Sequence, residues 1–434
     1  MDHLLVALLV LLASVMFGAG HAPPEHDGAI PVRLERDGDG WRLMRGGEAY
    51  VIRGAGGQSQ LERLVAAGGN SIRTWSADNI GGLLDRADKL GLTVTVGIWL
   101  EHERHGFDYS DPASRAQQLA MVKRVVEAYR DHPAVLMWGV GNEVELGGDL
   151  GKAMVAVEDA AALIKSLDPN HPTMAVIAEI GDGKAKRVRE LCPSIDLLGI
   201  NAYGGGASIP ERLNEQGYDG AYVMTEFGPR GHWEGPKTPW GAPIEPTSVE
   251  KAAMYERTYK AAVEAELGGR CLGSYVFLWG QKQETTATWF GMFLPSGEAL
   301  PTVDVMQRMW TGSEPANSAP LVGVIRGPST VTPGSQLSAT VEVKDPDGDA
   351  LSILWRVVAE SSDRRQGGDS EQAPPEVPGL VVSSSGNQAV IEAPARPGAY
   401  RLFVYAFDGE GGAGTSNLPF LVEDSEGEES GSKP

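Results

Sequence analysis

Between Val32 and Thr311 the chain alternates short apolar runs with longer stretches in which apolar residues recur every three to four positions. Short continuous runs suit strands buried on both faces, and the recurring spacing suits helices with one apolar face. The runs predict strands at Tyr50–Arg53, Asn70–Trp75, Thr93–Trp99, Leu136–Gly141, Thr173–Ile177, Leu197–Asn201, Tyr222–Glu226 and Gly273–Trp279. The periodic stretches predict helices at Gln58–Ala67, Ile80–Leu90, Ser114–Tyr129, Gly151–Leu167 and Val249–Leu267. Eight strands alternating with helices predict a closed TIM (β/α)8 barrel of the α/β class. An open doubly wound sheet is the rival, but it calls for a Gly-rich phosphate fingerprint after the first strand, and Gly54–Gly57 reads instead as a tight turn.

Other patterns flank this region. Val32–Leu43, with Asp37-Gly38-Asp39-Gly40 at its centre, predicts a β-hairpin beneath the barrel. Residues 313–319 are rich in Ser, Pro and Ala and read as a linker, with few contacts expected to cross it. Beyond it, Gln336–Lys344, Leu351–Val358, Gln388–Ala393 and Tyr400–Ala406 alternate apolar and polar residues between turn signals, which predicts a smaller all-β immunoglobulin-like sandwich over 320–424. The run Val343-Lys344-Asp345-Pro346-Asp347-Gly348-Asp349, followed by Trp355 and by Phe407-Asp408-Gly409, resembles PKD-like or cadherin-like modules. Asp345, Asp347 and Asp349 raise the question of calcium, but the twelfth position from Asp345 is Arg356 rather than a bidentate Glu, so a plain turn is preferred. The polar, Pro-rich stretch Glu360–Pro378 is expected to be mobile, and 425–434 to be an acidic disordered tail.

Charge and the N-terminus narrow the possible partners. A net charge of −21 and an isoelectric point near 4.8 exclude nucleic acid, whose phosphates call for clustered Lys and Arg. Leu4–Gly20 is apolar and runs into the small residues Gly18–Ala22, the pattern of a signal peptide over 1–22. Asp2 and His3 stand where Lys or Arg is usual, which leaves an uncleaved anchor as the alternative. The expected location is therefore secreted, periplasmic or at the cell surface, with no membrane span once the signal is removed. Cys192 and Cys271 read as separate thiols rather than a disulfide framework.

Barrels place reactive groups at the C-terminal ends of their strands. Here those positions carry Arg73, Asn142, Glu143, Asn201, Tyr203, Glu226 and Trp279, and the two glutamates follow apolar runs on strands that face each other across a barrel mouth. Two facing carboxyls suit glycoside cleavage, which needs one protonated group to release the leaving oxygen and one ionised group to attack the anomeric carbon. Arg73 would keep Glu226 ionised and burial would raise Glu143. Glu101, Glu103, Glu145 and Glu179 are second choices for the pair. His102-Glu103-Arg104-His105 spaces its histidines three apart, not the four of a helical zinc motif, so it is read as contacting sugar hydroxyls; no metal or cofactor is assigned. Trp75, Trp99, Trp233, Trp240 and Trp289 are candidates to stack on sugar rings, at least two of them in one cleft.

The run from Asp131 to Glu143, ending Trp138-Gly139-Val140-Gly141-Asn142-Glu143, resembles the fourth-strand motif of glycoside hydrolase family 2 and its clan of retaining barrel enzymes. Met224-Thr225-Glu226-Phe227-Gly228 resembles the clan's seventh-strand motif, and Asn70-Ser71-Ile72-Arg73-Thr74 its second-strand arginine. The resemblance implies Glu143 as acid/base, Glu226 as nucleophile, Arg73 near the nucleophile and Asn142 on the sugar 2-hydroxyl. It further implies Tyr203 beside Glu226, Asn201 in substrate binding and Trp279 flooring the pocket of the cleaved sugar. The expected activity is retaining hydrolysis of β-linked oligo- or polysaccharides, β-glucan preferred. A β-glycanosyltransferase using the same residues and a non-catalytic glycan-binding surface protein stay open. The sandwich is then a spacer, or a contact to glycan or cell surface.

Overall fold

The computed structural model describes residues 28–423; the expected signal peptide over 1–22 and the tail over 425–434 lie outside them. Eight parallel strands close into a barrel: Ile52–Gly56, Ser71–Arg73, Thr93–Ile98, Val135–Val140, Thr173–Ala178, Leu197–Asn201, Tyr222–Phe227 and Cys271–Val276, the eighth pairing with both the seventh and the first. Helices fill the connections, including Pro112–Tyr129, Leu150–Leu167 and Ser248–Ala262. Local chemistry sets where they start. Asp111 accepts the amides of Ala113 and Ser114 with Pro112 in the first turn, and Thr247 and Glu250 form a reciprocal capping box. A hairpin pairing Val32–Asp37 with Gly40–Arg45 lies under the barrel, Val32 and Leu43 packing with Ile52 and Tyr275.

The first and eighth strands depart from the sequence reading. Gly54 and Gly56 lie within the first strand rather than in a turn, because the barrel interior is occupied there: a Cβ on Gly54 would meet the Tyr275 ring at 2.3 Å. Tyr275 uses that space to exchange hydrogen bonds with Ser71 and Thr95 at 2.9 and 2.6 Å. The eighth strand ends at Val276, so Trp279 is carried past it. Helices Lys184–Leu191, Ile209–Glu215 and Pro301–Thr311 complete the barrel beyond those named from the sequence.

After the barrel comes a β-sandwich. One sheet orders Thr330–Val331, Ala413–Val422, Gly398–Phe407 and Ser352–Ala359; the other orders Gln336–Thr340, Gln388–Glu392 and Val381–Ser385. The expected single strand Gln336–Lys344 breaks after Thr340, and Val343–Lys344 pairs instead with Leu321–Val322. Asp345 Oδ1 accepts the amides of Asp347, Gly348 and Asp349, which makes this acidic stretch a hydrogen-bonded turn.

The expectation of few contacts across the linker is overturned. Ala319 N donates to the Asp304 carboxylate at 2.8 Å, and the backbone of Ala299 pairs with Gly411 and Ala413. Buried Arg401 reaches from the sandwich to the carbonyl of Pro243 at 2.9 Å, and Asn417 donates to buried Glu245 of the barrel at 2.6 Å. Linker composition reports local chain freedom; it carries no information about the surface on which the next domain lands. Cys192 and Cys271 are both buried and unbridged. Among the described residues no helix is long and apolar enough to cross a membrane.

Candidate active site

The chain after the fourth strand turns sharply, with Gly141 at φ 72° and Glu143 at φ 51°. A non-glycine residue in that left-handed region costs on the order of 1 kcal/mol or more and is held by its surroundings. Here the Glu143 amide donates to the Val176 carbonyl of the fifth strand at 2.9 Å, fixing the turn. The seventh strand shifts register against both its neighbours between Met224 and Phe227, with the Glu226 carbonyl accepting from Ala202 N.

A continuous hydrogen-bond chain joins the two carboxyls. Arg73, 2% exposed, donates to Glu226 Oε1 at 2.9 Å and to Asn142 Oδ1 at 2.6 Å. Asn201 Nδ2 donates to Asn142 Oδ1 at 3.2 Å and to Glu143 Oε1 at 2.8 Å, while its own Oδ1 accepts from Thr225 at 2.7 Å. Glu226 accepts two further bonds, from Trp75 Nε1 at 2.8 Å and from the Tyr203 hydroxyl at 2.6 Å. Three donors therefore fix Glu226, whereas Glu143 has one.

The electrostatics follow from that asymmetry. Burial, and then the charge of Glu226, push the Glu143 carboxyl up to about 7, against the weaker pull of Asn201 and Arg73. Burial and the two nearby carboxylates hold the Tyr203 phenol well above its ordinary value, so it remains a donor to Glu226. His102 is lowered to about 4 by burial and the neighbouring Arg104, which keeps its ring neutral where it stacks on Trp99 at 5.0 Å.

Around these groups lies a cleft of about 730 Å³. Glu143, Asn142, Asn201, Tyr203 and Glu226 line it; Arg73 stands behind them. Trp279 does not. It packs against Phe293 and Trp310, donates to the Gln60 carbonyl at 3.2 Å, and leaves Phe277 to face the cleft. Of the tryptophans, Trp75, Trp99 and Trp233 line the cleft, while Trp289 is buried and bonded to the Arg230 carbonyl. Among the second-choice carboxylates, Glu145 is tied to Lys184 and the Ala178 amide, Glu103 accepts the Asp149 amide, and Glu179, on the cleft rim, pairs with Arg212.

Sequence reasoning missed two things here. Trp75 was read as a stacking surface, and its indole N–H is in fact a direct partner of Glu226; its place two residues after Arg73 was the available signal. The stretch expected to be mobile, Glu360–Pro378, packs on the barrel, and residues 365–369 form part of the cleft wall. No local pattern could have shown that.

The closed barrel carries a hydrogen-bond-linked carboxyl pair at the ends of its fourth and seventh strands. Residues 61–228 match the family described as "Glycosyl hydrolases family 2, TIM barrel domain". A 146-residue stretch is 29% identical to mannan endo-1,4-beta-mannosidase F of Aspergillus clavatus, covering 32% of this chain and 30% of that protein. Over 93 residues the chain is 36% identical to a beta-galactosidase of Arthrobacter sp. strain B7, covering 20% of this chain and 9% of that one. In fold it is similar to Faecalibacterium prausnitzii beta-glucuronidase, with a TM-score of 0.51 at 17% identity over 65% of this chain and 52% of that chain. The chain spans less than a third of the length of the curated relatives it matches.

Proposed function

We propose that the protein hydrolyses β-linked glycans with retention of anomeric configuration, through a glycosyl ester on Glu226. The observation that carries this reading is the pair itself: Glu226 held by Arg73, Trp75 and Tyr203, and Glu143 pushed up to about 7 beside it. A carboxyl near 7 keeps its proton when the substrate arrives, as a general acid must. Glu226 Oε attacks the anomeric carbon as the glycosidic C–O bond breaks, and Glu143 gives its proton to the leaving oxygen. Glu143 then takes a proton from water, whose oxygen attacks the same carbon and releases Glu226. In this reading Asn142 holds a sugar hydroxyl, Asn201 links Asn142 to Glu143, and Phe277 replaces Trp279 as the aromatic wall. The names of the mannosidase and galactosidase relatives support β-linked hexosides as the substrate class; neither favours glucan over the others.

The two carboxyls separate cleanly by experiment. Glu226→Ala should lose at least about four orders of magnitude on natural glycans and aryl glycosides alike, since no ester can form. Glu143→Ala should fall roughly 10²- to 10⁴-fold on natural glycans but keep ester formation from aryl glycosides with good leaving groups, and azide should restore turnover as a β-glycosyl azide. Full activity of Glu143→Ala on natural glycans would remove the assignment. Product analysis at high substrate concentration separates hydrolysis from transfer to a second sugar.

A further inference from the structure

The sandwich contributes residues 365–369 to the cleft, and they are anchored to the barrel at two separated places. At the loop after the third barrel strand, Asp369 accepts from Arg104 at 2.7 Å and bonds His105 at 2.9 Å, while Arg104 also donates to the Gln366 carbonyl at 3.0 Å. At the loop after the eighth strand, Lys282 donates to the Gly368 carbonyl at 2.7 Å and the Thr285 amide donates to Glu371 at 2.5 Å. Strands eight, one, two and three are consecutive around the barrel, so the segment spans that arc of the mouth. Among the described residues, the loop after the first strand contributes nothing to the cleft wall there.

The fit is close. Gly367 and Gly368 both have positive φ, at 60° and 72°; a Cβ on the first would sit 2.9 Å from the Arg104 guanidinium, and on the second 3.0 Å from Lys282 Nζ. Both lie in the left-handed region that glycine adopts without strain. Trp233, in the loop after the seventh strand, stands edge-on to Tyr203 at 5.7 Å and is 53% exposed at the cleft margin.

Resting on the glycosidase reading, we infer that segment 365–369 of the sandwich is a specificity element: it stops the substrate cleft at one end, so that the enzyme accepts chain ends and trims them rather than cutting within chains. A sugar at the stopped end is boxed between the sandwich segment and the barrel, and the remainder of the chain leaves past Trp233. Loops carried by one domain and seated on another are a common way to set such a boundary.

The test compares wild type with Asp369→Ala, which removes the anchor to Arg104 and His105, and with Gly367→Val/Gly368→Val, which puts β-branched residues at two left-handed positions and so shifts the segment's backbone. Substrates are an aryl monoglycoside and a soluble β-glycan whose solution viscosity is followed against new reducing ends. Wild type should release short products from the first turnovers with little loss of viscosity. Both variants should lose about tenfold or more in kcat/KM on the monoglycoside, through misplacement of the sugar. They should also lower viscosity steeply per bond cleaved, as internal cuts appear. Labelling of Glu226 by an activated 2-deoxy-2-fluoro glycoside keeps the two layers apart. A wild type that is neither labelled nor active overturns the glycosidase reading and this inference with it. A labelled, active wild type that already cuts internally, or variants with its unchanged product pattern, overturns the inference alone.

Discussion

Two buried charge clusters in this molecule use the same residue types for opposite ends. At the interface between barrel and sandwich, Glu245 is met by Lys251, by the hydroxyls of Thr286 and Thr288 at 2.7 and 2.8 Å, and by Asn417 at 2.6 Å. Burial alone would raise that carboxyl, but Lys251 and Arg401 overrule it and hold it below its ordinary range. At the strand ends, Arg73 is the one cation among the hydrogen-bond partners of Glu143 and Glu226, it is spent on Glu226, and Glu143 is left to rise. Where every charge is matched the cluster holds two domains together. Where one acid is left short, the same burial stores a proton at neutral pH.

The largest effect expected from breaking the matched cluster is removal of the whole partner. A chain ending at Gly312 should be insoluble or lack a cooperative thermal transition, because the surface around Glu245, Asp304 and Ala299 is stripped of its partners. A soluble, cooperatively melting barrel would show that the interface does not complete the fold. Within the full chain, Glu245→Ala leaves Lys251 buried without its counter-ion, a change that costs about 3–5 kcal/mol. It should lower Tm while leaving kcat at 25 °C unchanged, since the residue does not line the cleft.

At the unmatched cluster the order is reversed, with large effects on rate and small ones on stability. Tyr203→Phe removes one of three donors to Glu226 and should lower kcat by about 10- to 100-fold with little change in Tm. In wild type, kcat/KM should decline as pH rises above about 7, when the free enzyme loses the Glu143 proton.

The smallest effect carries the sharpest sign. The Glu143 carboxyl is raised from 4.5 to about 7 in the folded protein, so between those values the unfolded chain gives up a proton that the folded chain retains. Stability contributed by this group is therefore whole below pH 4.5 and is lost as pH climbs to 7. Glu143→Gln cannot ionise. It should melt like wild type at pH 4 and be more stable at pH 8, by up to about 3 kcal/mol. Equal melting at both values would mean that Glu143 is not held protonated.

Much of this was legible from residue order. Continuous apolar runs and period-3.6 stretches gave the alternation of strands and helices, because a strand buried on both faces has to be apolar throughout and an outer helix only on one side. The carboxylates at positions 143 and 226 stood out because each directly follows an apolar strand, where a charged group is hard to place without a purpose. Trp279 was misplaced for an equally physical reason. An apolar run continues through the end of the eighth strand into the core, and composition alone does not mark where pairing stops, so Phe277 and not Trp279 meets the cleft. Gly54 and Gly56 looked like turn residues because glycine is used both for turns and for close approach, and the ring of Tyr275 that makes the difference lies some 220 positions away.

What the sequence determined by itself is the inventory and its order: eight apolar strands, their helices, a second domain with alternating polarity, and the polar residues at each strand end. These are local properties, written within ten or so neighbouring positions. Tertiary structure alone decided which donors converge on Glu226 and which acid goes without. It also decided that Asp369, more than 140 positions after Glu226, would come to wall the same cleft. The balance of charge at a buried site is set by distance in space, and distance in space between remote residues is fixed only when the barrel closes and the sandwich docks on it.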